Sequence, residues 1–372
     1  MPTITHLFKT YFPDTQGGLE EAIRQIGKYA LKEGYDVKVI SVSHNPNNQY
    51  LDGIKCVSYK NDLNISTMPI SFKLVKDFWK IIDETDIIQI HSPYPFVELL
   101  TLFHKISKPI ILTYHAEIVG RDFFVKCYYP FYKKLFTKVN VIVPTSLNLA
   151  KSTPILDYYP DKIYPINLWL DQERFLRLDE PLEEFKEFVL QLGDFALFVG
   201  VLRRYKGLST LLDAAKNIKR NIVIVGKGPE MLNLKNRIIS EKISNIFLLG
   251  YQSDENIAFL LKKCSFFVLP SSTRGECFGQ VLLEASYFHK ALISTELGTG
   301  TSFVNIDNLT GFVVPPQDAI ALQDKMNYLF ENKDISVKMG ENAYKRYRDN
   351  FTENIQGKKY IELYKRLLEE KY

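Results

Sequence analysis

The 372-residue sequence predicts an α/β protein built as two doubly wound, Rossmann-like domains. Three observations carry that expectation. Short apolar runs such as Ile4–Phe8, Asp86–Ile90, Phe195–Leu202 and Phe266–Leu269 read as buried strands and alternate with amphipathic helical stretches, the pattern of parallel sheets. The chain is too long for one ordinary core and suits two of roughly 150–200 residues each. Polar, glycine-containing loops follow strands in both halves, at the carboxyl ends where open α/β sheets take their ligands.

In the first half, Ile4–Phe8 is the first strand, and Gly17-Gly18 opens a helix over Leu19–Glu33 with Ala22, Ile23, Ile26, Ala30 and Leu31 inward. Glycines let another group approach the backbone, and a helix start favours negative charge. A diphosphate contact and a plain strand-to-helix turn both fit this pair. The loop lacks G-x-G-x-x-G, which counts against a dinucleotide oxidoreductase. Strands follow at Asp36–Val42, Ile54–Tyr59, Asp86–Ile90 and Pro109–Thr113, with helices over Ser71–Asp83 and Phe96–Lys105. The last strand runs into Tyr114-His115-Ala116, placing His115 at the ligand-binding edge, where it suits a ligand contact or a structural role. From Arg121 to Lys138, aromatics and lysines interleave at helical spacing, with a break expected at Pro130. That segment suits an anionic membrane surface, and equally a core-facing helix with a solvated basic side. Val139–Pro144 is a further strand, and Ser146 caps the helix after it.

In the second half a polar, acidic stretch, Asp179–Glu187, precedes the strand Phe195–Leu202 and the loop from Gly200 to Gly207. Arg203 and Lys206 in that loop can converge on a pyrophosphate, one as a planar fork and the other as a point charge. Strand Asn221–Val225 leads into Gly226-Lys227-Gly228-Pro229-Glu230, and Asn245–Gly250 continues the sheet. Strand Phe266–Leu269 enters Pro270–Ala285, where Glu276 lies on the loop and Glu284 about two turns into a helix that starts after Phe278-Gly279. Carboxylates beside the free N–H groups of a helix start suit a small anionic, polyhydroxylated ligand. A loop charge on a solvated helix face is the plain alternative. Strand Ala291–Ser294 leads to Glu296–Ser302, where Thr299 and Gly300 either hold a sugar or phosphate or form a turn. From Asp318 to Tyr372 the chain reads as helical, its last segment amphipathic.

The totals exclude some function classes. With 47 basic and 43 acidic residues the net charge is +4, too slight to argue for nucleic acid. Four cysteines without metal-ligand spacing suit free thiols in a reducing cytosol. The start shows no basic region before an apolar run, so no signal peptide is expected, and no stretch approaches the ~18 apolar residues of a spanning helix. No Asp-x-Asp occurs, so a paired-carboxylate clamp for a metal-bound diphosphate is missing. Arg203, Lys206 and helix starts would supply the positive charge, with no metal or other cofactor.

The string from Pro270-Ser271 through Glu276-Cys277-Phe278-Gly279 to Leu283-Glu284-Ala285 resembles the Glu-x7-Glu signature of glycosyltransferase family 4, retaining enzymes of the two-domain GT-B fold. Gly17-Gly18, a histidine at His115, and an interdomain crossing over Lys162–Phe175 resemble the same family. The resemblance implies two Rossmann-like domains with a cleft between them, an acceptor-side domain over 1–168 and a donor domain over 169–345. It also implies a C-terminal helix, 346–372, returning to the first domain. It implies that Glu284 holds the ribose, Glu276 the sugar hydroxyls, and Arg203 and Lys206 the diphosphate. His115 then positions the sugar, while Gly17, Gly18, Lys227, Phe278, Gly279, Thr299 and Gly300 line the donor. Three departures stand out: Val201 where arginine usually follows the glycine, Leu168-Trp169 where glycine is usual, and Gly298-Thr299-Gly300-Thr301-Ser302 in place of Gly-Gly-x-x-Glu. That last wording resembles bacterial mannosyltransferases that build O-antigen and exopolysaccharide from GDP-mannose. It implies a hexose passed to a lipid-linked saccharide, in the cytoplasm or peripherally on the cytoplasmic face of the inner membrane. A UDP-sugar donor, a sugar-nucleotide 2-epimerase and a non-catalytic binding module are the alternatives.

Overall fold

The structure, a computed structural model, describes residues 1–65, 68–116 and 122–370. It divides into two units, Met1–Leu168 with Glu353–Tyr372, and Trp169–Thr352.

The first unit is built on a seven-stranded sheet. Its strands are β1 (Thr3–Leu7), β2 (Asp36–Ser43), β3 (Asn48–Leu51), β4 (Ile54–Lys60), β7 (Ile87–Ser92), β8 (Ile110–Tyr114) and β9 (Val141–Pro144), while β5 (Leu63–Ile65) and β6 (Met68–Ile70) form a separate short ladder. The spatial order is β3-β4-β2-β1-β7-β8-β9. From β1 the chain therefore winds outward to β2 and β4, then returns to the other side for β7, β8 and β9. The break in winding lies between β1 and β7. All neighbours are parallel except β3, which pairs antiparallel with β4. The sequence gives no sign of β3, because Asn48–Leu51 carries no buried apolar run and sits on the edge.

The central strands are wholly buried, as expected for a sheet covered on both faces, and are apolar except for Gln89, His91 and Ser92 on β7 and Thr113 on β8. A helix over Gly18–Lys32 covers one face with Ala22, Ile23, Ile26 and Ala30, while Leu31 is only half-buried. The C-terminal helix, Glu353–Glu369, packs beside it and buries Tyr360, Ile361, Leu363, Tyr364 and Leu367. On the other face a helix runs from Asp122 to Lys138 straight through Pro130, where a break was expected. Proline removes one backbone donor there, and the burial of Tyr132, Leu135 and Phe136 on the following turns offsets the loss.

The second unit carries a six-stranded, all-parallel sheet: β10 (Phe195–Val199), β11 (Asn221–Val225), β12 (Ile246–Gly250), β13 (Phe266–Leu269), β14 (Ala291–Thr295) and β15 (Gly311–Val314). Its order is β12-β11-β10-β13-β14-β15, so the winding breaks between β10 and β13. Part of the acidic stretch before β10 is a helix, Glu183–Gln191, rather than a plain insert. Two glutamates in its first turn suit the helix dipole, and Phe185, Phe188 and Val189 form an i, i+3, i+4 stripe that turns Phe188 onto Phe247. Among the described residues Cys56, Cys264 and Cys277 are free thiols, and no helix is long and apolar enough to cross a membrane.

Candidate functional site

The loops after β10 and β13 leave adjacent strands in the same direction at the break in winding, the place where a crevice opens in a doubly wound sheet. They are clasped together. The Ser272 N–H donates to the Tyr205 carbonyl at 2.7 Å, and Gly207 presses on Pro270 so closely that a Cβ would lie 1.8 Å from the Pro270 oxygen. Gly207 also sits at φ +70°, a conformation that glycine adopts without strain. No other residue type meets both demands.

This clasp brings Lys206 and Glu276 together from opposite loops. The Lys206 ammonium donates to Glu276 Oε2 at 2.5 Å, and the Ser271 hydroxyl donates to the same oxygen at 3.0 Å. Lys206 is 8% exposed and Glu276 7%. Burial pulls the lysine down, and the Glu276 carboxylate more than offsets it, so the amine is held charged above its ordinary value. Both bonds fall on Oε2, and among the described residues none is seen to Oε1 of Glu276. A buried ion pair adds little net stability against desolvation, so its use here is to hold a cation at a fixed point on the sheet edge.

A third loop, after β14, supports the pair. The Thr299 hydroxyl donates to the Glu276 carbonyl at 2.7 Å, the Gly300 N–H to the Cys277 carbonyl at 2.8 Å, and the Thr295 hydroxyl to the Ser271 carbonyl at 2.5 Å. The Thr299 hydroxyl and the Gly300 N–H are thus spent on fixing the Glu276 loop. Phe278 is buried behind it, close enough to Gly300 that a Cβ there would meet the ring at 2.5 Å. Gly279, at φ +77°, turns the chain into the helix Gln280–Tyr287. Glu284 on that helix takes Arg174 Nη1 at 3.2 Å, and the same guanidinium reaches Asp254 through Nε at 2.7 Å. Arg203 and Lys227 are exposed on neighbouring loops, joined where the Leu202 N–H donates to the Lys227 carbonyl at 2.9 Å. The result is a buried cation and carboxylate with two further, exposed cations on neighbouring loops, a setting suited to an anion that carries hydroxyls.

The remaining predicted residues belong to the first unit. Gly17 precedes the helix that begins at Gly18, and the first turn already holds Glu20, whose carboxylate accepts from Thr15 at 2.6 Å and Thr10 at 3.2 Å. Gly17 and Gly18 thus open the helix beside an acidic side chain, and Gly17 lies so close to it that a Cβ would be 2.9 Å from Glu20 Oε2. His115 is fully buried, and its Nε2 lies 2.9 Å from Nδ1 of His91, whose Nε2 lies 2.9 Å from Nδ1 of His6. Burial pushes His115 and His6 down to about 3, and His91 well below its ordinary value through burial and then its two histidine neighbours. In the 121–138 segment, Arg121 and the side chains of 122–127 lie outside the described residues. Of the rest, Tyr129 and Phe131 are exposed, and Lys133 lies over the rings of Tyr129 and Tyr158.

Sequence reading missed His6, His91, Ser271 and Arg174. The available signal for the first two was a histidine near the carboxyl end of a short strand, in Thr-His-Leu and again in Gln-Ile-His. For Arg174 there was none, since its partner lies 110 residues away.

Residues 182–346 match the family described as glycosyl transferases group 1, and residues 16–174 match glycosyltransferase family 4. The chain is 36% identical to an O-antigen chain mannosyltransferase C of Escherichia coli over 371 residues, covering 99% of both chains. It is 35% identical to the D-rhamnosyltransferase WbpZ of Pseudomonas aeruginosa over 353 residues, covering 94% of this chain and 92% of the relative. In fold it is similar to sucrose-phosphate synthase from Thermosynechococcus elongatus, with a TM-score of 0.79 at 17% identity over the whole of both chains. It is likewise similar to Anabaena Alr3699/HepE in complex with UDP and glucose, with a TM-score of 0.77 at 17% identity over 98% of this chain and 99% of the other.

Proposed function

The chain belongs to glycosyltransferase family 4, with the GT-B fold, and we propose that it moves mannose from GDP-mannose to a lipid-linked saccharide in O-antigen assembly. The observation that carries the chemistry is the Lys206 ammonium, held charged by Glu276 where the sheet's winding breaks. The choice of sugar rests on the relatives, one named for mannose and one for D-rhamnose, which is 6-deoxymannose. The acceptor side is read onto the first unit and the donor side onto the second.

In the proposed reaction the bond between the sugar's anomeric carbon and the diphosphate oxygen breaks, and the diphosphate leaves with the electron pair. Lys206, Arg203 and Lys227 stabilise the charge that develops on it, and no metal is called on. An acceptor hydroxyl attacks the anomeric carbon from the face the diphosphate leaves, and its proton passes to a departing phosphate oxygen. Glu276 Oε1 accepts from sugar hydroxyls, Glu284 from the ribose, and His115 contacts the sugar. Phe278 and Gly279 shape the donor edge, Thr299 and Gly300 fix Glu276, and Gly17 and Gly18 allow close approach. Membrane contact is peripheral, through the basic aromatic segment 121–138, on the cytoplasmic face of the inner membrane.

The test is incubation of the purified chain with GDP-mannose, a diphospholipid-linked saccharide and EDTA, with the product's anomeric configuration read by NMR. An α-linked mannoside supports the reading. A β-linked product contradicts retention, and conversion of GDP-mannose without acceptor points to an epimerase. GDP-D-rhamnose as a competing donor decides the second reading, favoured by the 35% relative.

A further inference from the structure

We propose that His6, His91 and His115 form a single hydrogen-bonded imidazole chain, in which all three rings share one tautomer and the outer nitrogen of His115 receives a hydroxyl of a sugar. His6 is on β1, His91 on β7, and His115 directly follows β8, so the chain crosses the break in winding at the strands' carboxyl ends. Its members are 85 and 24 residues apart in sequence. The rings stack in series, with centroids 5.2 Å apart at both steps and interplanar angles of 27° and 22°. All three are fully buried, and the two terminal nitrogens, His6 Nε2 and His115 Nδ1, have no partner among the described residues.

A neutral imidazole has one N–H and one lone pair. If His6 carries its proton on Nδ1, it donates to His91 Nε2, which forces the His91 proton to Nδ1 and, by the same step, the His115 proton to Nδ1. The reverse order puts every proton on Nε2. A mixed chain sets two N–H groups or two lone pairs face to face, and each unsatisfied buried group costs about 1–3 kcal/mol. Burial keeps the rings neutral, which supplies the one proton per ring that the chain requires. The nitrogens lie in a row rather than converging on a point, and no metal-holding cluster occurs among the described residues.

The outer Nδ1 of His115 is a donor in one state of the chain and an acceptor in the other. A hydroxyl satisfies both states, whereas a phosphate oxygen satisfies only one. His6 and His91 are thus positioning residues for His115. The inference rests on the reading of His115 as a sugar contact, but the chain itself can be tested without ligand.

In the intact protein labelled with 15N-histidine at neutral pH, two-bond 1H–15N correlation reports each ring's tautomer, with assignments from His6→Gln, His91→Gln and His115→Gln. Three neutral rings of one tautomer are expected, and a mixed set or a protonated ring overturns the chain. On adding GDP-mannose, the signals of all three rings should move together. A shift confined to His115 overturns the coupling, and no shift at donor saturation overturns the sugar contact while leaving glycosyl transfer to be judged by its own product assay. Kinetics give a second arm. The amide introduced by His91→Asn reaches the place of Nδ1 and keeps the bond to His115, whereas that of His91→Gln reaches the place of Nε2 and keeps only the bond to His6. For one hydrogen bond, kcat/KM in His91→Gln should fall about tenfold below that in His91→Asn. Equal values, or the reverse order that space-filling predicts because glutamine is nearer histidine in size, overturn the positioning role.

Discussion

At the break between β10 and β13 the second unit buries an ammonium against a carboxylate, whereas at the break between β1 and β7 the first unit buries three imidazoles that carry no charge. The location in the sheet is the same and the physics differs. Lys206 keeps its charge because Glu276 offsets the desolvation, and the pair presents a fixed cation to whatever binds. The histidines avoid that cost by giving up their protons, and present only hydrogen bonds. A charged pair suits phosphate, and a neutral chain suits hydroxyls. The difference is one of chemistry within each unit: the second holds a fixed charge at its break in winding, and the first holds only neutral hydrogen-bonding groups.

The strongest way to break this contrast is to remove one charge. Lys206→Met strands Glu276 in the interior and should cost about 3–5 kcal/mol, read as a lower urea midpoint. Adding Glu276→Gln should recover most of that loss without restoring transfer. A single variant as stable as the parent would show that the pair is not electrostatically buried. Ser271→Ala sharpens the same side by deleting one hydrogen bond to the charged oxygen, with an expected loss of about 1.5–3 kcal/mol. An unchanged midpoint there would mean that water replaces the hydroxyl.

The smallest effect per step is on pH. His6 and His115 titrate at about 3 in the folded chain against an ordinary 6.5, so below 6.5 the unfolded chain takes up protons that the folded one refuses. The stability of the first unit is full above that value and falls as pH drops, by about 1.4 kcal/mol per ring and pH unit. His115→Gln should flatten this acid limb by one ring's share in urea titrations from pH 6.5 to 5. Lys206 acts on the opposite limb. Its folded value is raised, so its contribution is present below the ordinary lysine range and is lost as pH rises through the folded value. An acid limb unaltered by His115→Gln would place the titration elsewhere.

Much of this was legible in the residues. The strands announce themselves as apolar runs, Lys206 and Glu276 are readable because they lie in the loops just after such runs, and Glu284 by its spacing from Glu276 on the helix that follows. What stayed hidden depends on register. A lone His6 in Ile-Thr-His-Leu says nothing of His91 until β1 and β7 are known to be neighbours. Arg174 likewise shows its use only when folding brings it to Glu284. The edge strand Asn48–Leu51 escaped because it has no buried run to mark it.

The most direct test of the account is calorimetric titration of GDP into the parent chain and into the Lys206→Met, Glu276→Gln double variant, in which the buried charge is removed without stranding its partner. The account predicts that the parent binds and that the double variant binds at least about tenfold more weakly, as expected for loss of a charge-assisted contact. Equal affinity in the two, with both folded, would contradict it.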